Sequence, residues 1–295
     1  MYPSHFHKTR IAPTPSGYLH VGNVLSFALT AALARTTGAT VLLRIDDLDR
    51  DRIQPAYVQD IFNTLQLMEI PWDEGAKDYG NYLHRYSQVH RLPLYQQALQ
   101  QLRDGGHVFA CDCSRAQILR ERPDGVYPGT CIHKNIPLDT PGVSWRLHTS
   151  ETAPIRVNTF NKGIVTATLP ALMQSFVVRK KDGYPAYQLA SVADDDHFGV
   201  DLVVRGEDLW SSTLAQHYLA TLLPGSNFGN TVSYHHPLLL ETADRKLSKS
   251  AGATSVQHLH KSGKTAADIY TMIAQALGYD RVVRDYTGLG ELMLG

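Results

Sequence analysis

The sequence lacks an excess of charge and long apolar runs, and each shortage excludes a class of protein. Lysine plus arginine and aspartate plus glutamate each number 28, so the formal net charge is zero and no overall field attracts nucleic acid or a membrane surface. An RNA partner must therefore contact a local patch. The longest apolar stretch, residues 24–34, is interrupted by Ser26 and Thr30 and is far shorter than the roughly 18 residues that span a membrane.

The sequence also lacks a targeting signal and a disulfide framework. Residues 1–10 contain no apolar core of a signal peptide, so we expect a cytoplasmic protein. The three cysteines are too few, and odd in number, for a disulfide scaffold in a chain of 295 residues. Hydrophobic residues make up 43% of the chain, which is enough to bury one large domain with an insertion, or two domains.

The order of the apolar segments predicts an α/β fold with a parallel sheet. A short strand at residues 8–12 leads through a loop into a helix that we expect to start with Asn23 as its N-cap and to end before Gly38. A buried strand follows at residues 40–46. Ligands of such a strand–helix–strand unit bind at the carboxyl ends of the strands.

Short strands, turns and prolines replace this pattern in the middle of the chain and indicate an insertion. The predicted organisation is a first core half at residues 1–106, an insertion at 107–170, a second core half at 171–250 and a helical segment at 251–295. We expect the acidic residues 194–196 to be solvated at a helix end and not to bind Mg²⁺.

The loop before the first helix, "TRIAPTPSGYLHVGN" at residues 9–23, is more constrained than a simple connection. His20, Gly22 and Asn23 fall at the expected helix start, where free backbone N–H groups and the helix dipole favour an anion. By itself the pattern also fits a capped strand-to-helix turn. The prolines and glycine of "PTPSG" fix a loop shape that a simple turn does not need, which favours a binding function.

A second motif, "KLSKS" at residues 246–250, lies in a polar loop and by itself also fits a solvated segment. Together the two motifs resemble the two-part signature of class I aminoacyl-tRNA synthetases, whose catalytic core is a Rossmann-type parallel sheet. In their reaction charge builds on the phosphates of ATP as pyrophosphate leaves, and hydrogen-bond donors with mobile cations stabilise it.

The resemblance implies that ATP binds with Mg²⁺ and that no side-chain nucleophile is needed, because the carboxylate of the amino acid attacks. The implied catalytic residues are His20, Asn23, Lys246 and Lys249. The implied ATP contacts are His20, Gly22, Asn23 and Lys249.

Five stretches in order resemble the glutamate branch of this class. They are "TRIAPTPSGYLHVGN", "LLRIDDLDRDR", "GYPAYQLASVADD", "DLVVRGEDLWSST" and "KLSKS". The implied L-glutamate contacts are Arg10, Ile11, Ala12, Pro13, Thr14, Asp46, Tyr187 and Arg205. Arg10 is the expected bidentate partner of the substrate's side-chain carboxylate. Asp46 departs from the family pattern, because it is one methylene shorter than the glutamate usually found there.

These residues also have structural interpretations. Arg44 and Asp46 could form a surface ion pair, Tyr187 could be a core aromatic, and Arg205 could be a charge at the sheet end that pairs with Glu207.

The length of the chain selects a subgroup. Only residues 251–295 follow the lysine motif, which leaves no room for the helical anticodon-binding domain of a full glutamyl-tRNA synthetase. The chain thus resembles the glutamyl-Q tRNA(Asp) synthetases, which esterify glutamate onto the queuosine base of tRNA(Asp). The implied partners are L-glutamate, ATP and tRNA(Asp) carrying queuosine, without a membrane, and we expect a monomer. The alternatives are a compact glutamyl-tRNA synthetase charging a 3′ end, and an inactive RNA-binding module.

The three cysteines cluster within the predicted insertion. From spacing alone, Cys111, Cys113 and Cys131 could hold zinc with a fourth ligand or could be buried as small hydrophobic residues. The glutamyl-Q subgroup shows Cys-x-Cys followed by Tyr-x-x-x-Cys as zinc ligands. The resemblance therefore implies one structural Zn²⁺ per chain, held by these cysteines and Tyr127.

Overall fold

The computed structural model describes residues 5–242, 245–246 and 255–295, with 240–242 and 245–246 described by backbone alone. Its strands are β1 (Lys8–Ile11), β2 (Thr40–Leu43), β3 (Glu74–Gly75), β4 (Val108–Cys111), β5 (Ser144–Leu147), β6 (Ile155–Thr159), β7 (Gly163–Ala167), β8 (Val177–Arg179), β9 (Leu202–Gly206), β10 (Val232–His236), β11 (Leu240–Thr242) and β12 (Arg245–Lys246). Its α-helices are α1 (Val21–Thr37), α2 (Pro55–Leu67), α3 (Tyr79–Asn81), α4 (Leu92–Asp104), α5 (Arg115–Glu121), α6 (Tyr187–Phe198), α7 (Trp210–Ala220), α8 (Val256–Lys261), α9 (Ala266–Ala276) and α10 (Tyr286–Leu294). Within the described part of the chain, no helix combines the length and apolar character needed to cross a bilayer.

Two compact units divide the chain. The first contains Met1–His90, Val200–Asp208 and Ser233–Gly295. The second contains Arg91–Gly199 and Leu209–Val232. Each unit is formed from segments that are distant in sequence.

The first unit is built on a sheet whose strands lie in the order β3-β2-β1-β9-β10. Strand β1 runs parallel to both β2 and β9, and β2 runs parallel to β3. The carboxyl ends of β1, β2 and β9 therefore meet at one edge of the sheet, where ligands of open parallel sheets bind. The predicted parallel α/β core is confirmed.

Helix α1 is buried on most sides, since it packs on the sheet and on α9 and α10. Gly290 of α10 allows the close approach, because a β-carbon at this position would lie 2.4 Å from Cβ of Ala32. The helix ends at Gly38, whose left-handed backbone (φ 75°) matches the predicted end.

The predicted N-cap of α1 was wrong, because the helix begins at Val21 and His20 is the N-cap. The ring Nδ1 of His20 accepts a hydrogen bond from the N–H of Gly22 at 3.1 Å. Asn23, the third residue of the helix, completes a capping box: its Oδ1 accepts a hydrogen bond from the N–H of His20 at 3.0 Å. A histidine ring thus fills the position that the sequence pattern assigned to asparagine.

The second unit contains an antiparallel sheet in the order β4-β5-β8 and a hairpin of β6 and β7. Helix α6 packs between α4 and α7, and α7 packs on β6. A small separate core lies beside β4 and contains Phe109, Cys111, Ile118, Tyr127 and Cys131.

The acidic residues at the end of α6 are not a solvated cluster, so that prediction was wrong. Asp194 and Asp195 are 0% and 1% exposed. The carboxylate of Asp194 accepts from Nε and Nη2 of Arg91 at 2.7 and 3.1 Å and from the hydroxyl of Tyr95 at 2.8 Å. Asp196 accepts from Ser226, and burial raises its pKa. Asp194 and Asp196 therefore have structural roles inside the second unit.

Candidate functional site

The start of α1 combines a positioned histidine with the positive end of a helix dipole. Because Nδ1 of His20 accepts from Gly22, the neutral imidazole carries its proton on Nε2 and can donate it to a ligand. Gly22 serves this arrangement, since a β-carbon there would lie 3.0 Å from the imidazole ring. The N–H groups of Gly22 and Asn23 donate within the cap, to Nδ1 and to the carbonyl of His20, so this turn contributes its helix dipole to an anion-binding site.

The lysine motif lies largely outside the described residues. Lys246 ends β12, whose backbone pairs antiparallel with Leu240 of β11. Lys249 is among residues 247–254, which are not described. The chain is described again from Ser255, which forms an antiparallel bridge with His20.

The carboxyl edge of the sheet in the first unit gathers three predicted glutamate contacts. Arg10 on β1 and Arg205 on β9 are 5% and 4% exposed. Asp46 follows β2 and is held at this edge by its N–H, which donates to the carbonyl of Pro13 at 2.9 Å. This edge thus has two buried guanidinium groups, on β1 and β9, and a carboxylate just after β2. Such an arrangement favours a ligand that carries both signs of charge.

The other predicted glutamate contacts of the first loop, residues 11–14, directly follow Arg10 in the chain. Ile11 ends β1, and its carbonyl accepts from the N–H of Arg44 at 2.9 Å. Ala12 and Thr14 are partly or fully exposed, whereas Pro13 is buried. The loop therefore presents backbone and a threonine side chain beside Arg10.

Arg44 and Asp46 form an ion pair, but it is buried and not at the surface as the structural interpretation assumed. Nε and Nη2 of Arg44 donate to the two oxygens of Asp46 at 2.7 and 3.1 Å. The side chains are 2% and 8% exposed. Each carboxylate oxygen has a second lone pair, so Asp46 can still accept from an ammonium group.

Asp47 is a structural anchor that the sequence did not reveal. Its carboxylate accepts from the hydroxyls of Tyr82 and Ser87 and from the N–H of Gln88, the last at 2.8 Å. Burial, with the hydrogen bond to Asp47, raises the pKa of Tyr82, which keeps this donor protonated. The contact fixes the turn that carries Asp46.

Tyr187 belongs to the second unit and lies at the start of α6. The residue is 43% exposed. The interpretation as a core aromatic was therefore wrong. The next residue, Gln188, is buried, and its Nε2 donates to Oγ of Ser212 at 3.0 Å. An exposed tyrosine on a firmly anchored helix start is available to a ligand.

The cysteine cluster of the second unit is brought together as its spacing suggested. The sulfurs of Cys111, Cys113 and Cys131 lie within 4.8 Å of one another, and those of Cys113 and Cys131 are 3.5 Å apart. The hydroxyl oxygen of Tyr127 lies beside them, accepting from the N–H of Cys131 at 2.9 Å and donating to the sulfur of Cys111. Tetrahedral thiolates at a Zn–S distance of about 2.3 Å are about 3.8 Å apart, so this donor set fits zinc.

Charged groups surround this cluster. The guanidinium of Arg146 lies 3.9 Å from the ring centroid of Tyr127 and hydrogen-bonds to Cys111. Burial alone would raise the pKa of Cys111, but the hydrogen bonds from Tyr127 and Arg146 outweigh it and the pKa is lowered. Burial and the neighbouring sulfur of Cys131 raise the pKa of Cys113 to about 12. Sequence patterns did not point to Arg146, which lies on β5 outside the motif.

Known proteins match the chain over most of its length. The model of the family "tRNA synthetases class I (E and Q), catalytic domain" matches residues 7–280. A glutamyl-Q tRNA(Asp) synthetase of Geobacter sulfurreducens is 37% identical, across 84% of this chain and 76% of that protein. A protein of the same name from Nitratidesulfovibrio vulgaris is 33% identical, across 95% of this chain and 90% of that protein.

A solved structure shows the same fold. The crystal structure of a glutamate tRNA ligase from Elizabethkingia meningosepticum, in complex with its amino acid, matches with a TM-score of 0.73 at 19% identity. The match covers 96% of this chain and 64% of that protein, so this chain spans somewhat less than two thirds of the ligase. With the sheet edge, the helix start and the family match in agreement, the chain belongs to the class I tRNA synthetases of the glutamate and glutamine group.

Proposed function

We propose that this chain activates L-glutamate with ATP and transfers the glutamyl group to the queuosine base of tRNA(Asp). The observation that carries the proposal is the pair of buried arginines, Arg10 and Arg205, at the carboxyl edge of the sheet in the unit that also contains the His20 helix start. Synthetases of this glutamyl group activate glutamate and transfer it to tRNA. The choice of queuosine follows the names of the two glutamyl-Q tRNA(Asp) synthetases, which align over most of their length.

Two steps make up the proposed reaction. The α-carboxylate of glutamate attacks the α-phosphorus of ATP, an O–P bond forms, and pyrophosphate leaves with the electrons of the broken bond. A hydroxyl of the queuosine base then attacks the glutamyl carbonyl, an ester forms, and AMP leaves. Charge develops on phosphate oxygens in the first step, so catalysis depends on donors and cations and not on a protein nucleophile.

The ATP contacts in this proposal come from two places in the chain. Nε2–H of His20 donates to the phosphates, Gly22 lets them approach the backbone, and the positive end of the helix dipole favours their negative charge. Lys246 and Lys249 neutralise charge on the leaving pyrophosphate, and Mg²⁺ accompanies ATP as part of the substrate. Asn23 acts through the cap, because its side chain holds the N–H of His20.

The glutamate contacts divide the substrate by charge. Arg10 binds the side-chain carboxylate, Arg205 contributes the second positive charge, and Asp46 accepts from the ammonium. The backbone of residues 11–14 completes the glutamate contacts of the first unit. The buried environment strengthens these charged contacts relative to the same contacts in water.

Labelled glutamate separates this function from its alternatives. The chain is supplied with ATP and tRNA(Asp), with and without queuosine, and with queuosine-containing tRNA that lacks its 3′-terminal adenosine. We expect labelling that needs queuosine and ignores the missing adenosine. Labelling that follows the 3′ end would instead indicate a compact glutamyl-tRNA synthetase. Absence of glutamate-dependent ATP–pyrophosphate exchange without tRNA would contradict activation itself.

We also propose that Cys111, Cys113, Tyr127 and Cys131 hold one structural Zn²⁺. The set offers three sulfurs within 4.8 Å of one another and a phenol oxygen beside them, and its residues come from the end of β4, from Cys113 directly after it and from residues 127–131. When bound, zinc would cross-link a small core that contains few other large apolar side chains. Four protein ligands leave no open position, so the metal would stabilise the insertion without taking part in catalysis.

Replacing Cys111 with serine should lower the zinc content to well below one ion per chain and reduce the thermal unfolding temperature. The reason is that one thiolate is lost from a buried cluster that the metal cross-links. Zinc is measured by a chelating dye after the protein is unfolded. His133→Ser is the matched control, because this exposed histidine of the same segment is outside the cluster. Full zinc content in the Cys111 variant would remove Cys111 from the ligand set.

A further inference from the structure

The backbone of Leu19, the residue before His20, is hydrogen-bonded on both sides. Its N–H donates to Oδ2 of Asp60 at 2.8 Å, and its carbonyl accepts from the N–H of Val256 at 2.9 Å. Leu19 is 3% exposed, so both bonds form where water competes little. One buried residue thus connects the start of α1 to α2 and to the start of α8.

The start of α8 is fixed to the same point. Ser255 forms a β-bridge with His20, and its Oγ caps α8 by accepting from the N–H of His258 at 3.2 Å. Helix α8 also packs against α2. Ser255 follows the lysine motif, which ends at Ser250, by five positions in the sequence. The first described residue after the motif is therefore bonded to His20.

Asp60 is the charged member of this connection. It lies on α2 and is 3% exposed, and burial raises its pKa against the opposing effects of the Leu19 hydrogen bond and the charge of Lys261. An apolar residue would avoid the desolvation cost of a buried carboxylate but would leave the N–H of Leu19 without this acceptor. The hydrogen bond from Leu19 is therefore what an acidic residue at position 60 provides and an apolar residue would not.

We infer, on the basis of the function proposed above, that Asp60 is a positioning residue for ATP activation. Through the N–H of Leu19 it anchors the Tyr18–Leu19 peptide, directly before the peptide that leads into His20. The carbonyl of the same residue belongs to that second peptide and accepts from Val256 at the start of α8. Loss of the acceptor allows Leu19 to shift, which displaces His20 and the start of α8 that is bonded to Leu19, and a displacement of about 1 Å can lower a rate about 100-fold.

Steady-state ATP–pyrophosphate exchange tests this role with three variants. Asp60→Ala should lower kcat/KM for ATP by about 10- to 100-fold and leave KM for glutamate within about twofold. Asp60→Asn retains an oxygen acceptor for Leu19 and should stay within about threefold of the parent chain. Asp73→Ala is the matched control, because its carboxylate accepts from the N–H of Val41 at 2.8 Å far from His20 in sequence, and it should leave kcat/KM for ATP unchanged.

Hydrogen exchange gives a readout that does not need activity. In Asp60→Ala, peptides covering residues 17–23 and 255–262 should both exchange faster, and in Asp60→Asn neither should. The role is overturned if the alanine and asparagine variants lose the same activity, if Asp73→Ala loses as much, or if only α2 exchanges faster. A parent chain without exchange activity contradicts the proposed function, whereas faster hydrogen exchange at both segments would still support the connection.

Discussion

Replacing His20 with asparagine should lower the rate of glutamate-dependent ATP–pyrophosphate exchange by about 10²- to 10³-fold, the effect of removing one positioned donor from a charged transition state. The substitution separates two roles of the same side chain. Asparagine is a favoured N-cap, so its Oδ1 can replace Nδ1 of the imidazole as acceptor for the N–H of Gly22. It offers no group at the position of Nε2, which is the donor proposed for the phosphates.

The measurement compares kcat for exchange with the thermal unfolding temperature. His20→Asn should unfold close to the parent temperature, whereas His20→Ala should lose activity and also about 1 kcal/mol of cap stabilisation. His84→Asn is a suitable control, because His84 is an exposed histidine in another segment of the same unit. Exchange by His20→Asn at more than a tenth of the parent rate would show that the imidazole acts as a cap alone.

Replacing Asp194 with alanine should destabilise the chain by about 3 to 5 kcal/mol, because it leaves the charge of Arg91 in a buried site without its carboxylate. The side chains of the pair are 10% and 0% exposed, and the arginine also contacts the ring of Phe198 at 5.2 Å. Tyr95 loses the same acceptor, which adds the cost of a second unsatisfied donor.

Urea unfolding followed by circular dichroism measures this effect. Asp182→Ala removes one partner of an exposed ion pair with Lys180 and should change stability by less than about 1 kcal/mol. The double variant Arg91→Met with Asp194→Leu should be more stable than Asp194→Ala alone, because no uncompensated charge remains. If Asp194→Ala costs no more than Asp182→Ala, the buried pair contributes nothing to the fold.

Features that depend on neighbours in sequence were predictable. The side chains proposed to bind zinc all come from residues 111–131, so the sequence spacing could indicate that they lie close together. The end of α1 at Gly38 and the parallel order of the first strands follow from local patterns as well. The domain boundaries at residues 107, 171 and 251 and the monomeric state stay predictions.

Contacts between distant segments were not predictable. Asp194 meets Arg91 across 103 positions, and Asp60 meets Leu19 across 41, so no periodic pattern connects them. The capping role of His20 was missed for a different reason. A histidine is not among the usual N-cap residues, and Asn23 three positions later carried the stronger signal.

The buried ion pair of Arg44 and Asp46 affects which amino acid the sheet edge accepts. Arg44 donates two hydrogen bonds to Asp46, so on the proposed assignment the guanidinium groups that bind the substrate are those of Arg10 and Arg205. Glutamate supplies two carboxylates and one ammonium, whereas glutamine has nearly the same size but only one carboxylate. The neutral amide of glutamine would replace the charge-assisted hydrogen bonds between Arg10 and the side-chain carboxylate with a weaker contact in a buried site. On the proposed assignment, glutamine is rejected at this contact in the adenylation step, before any tRNA takes part.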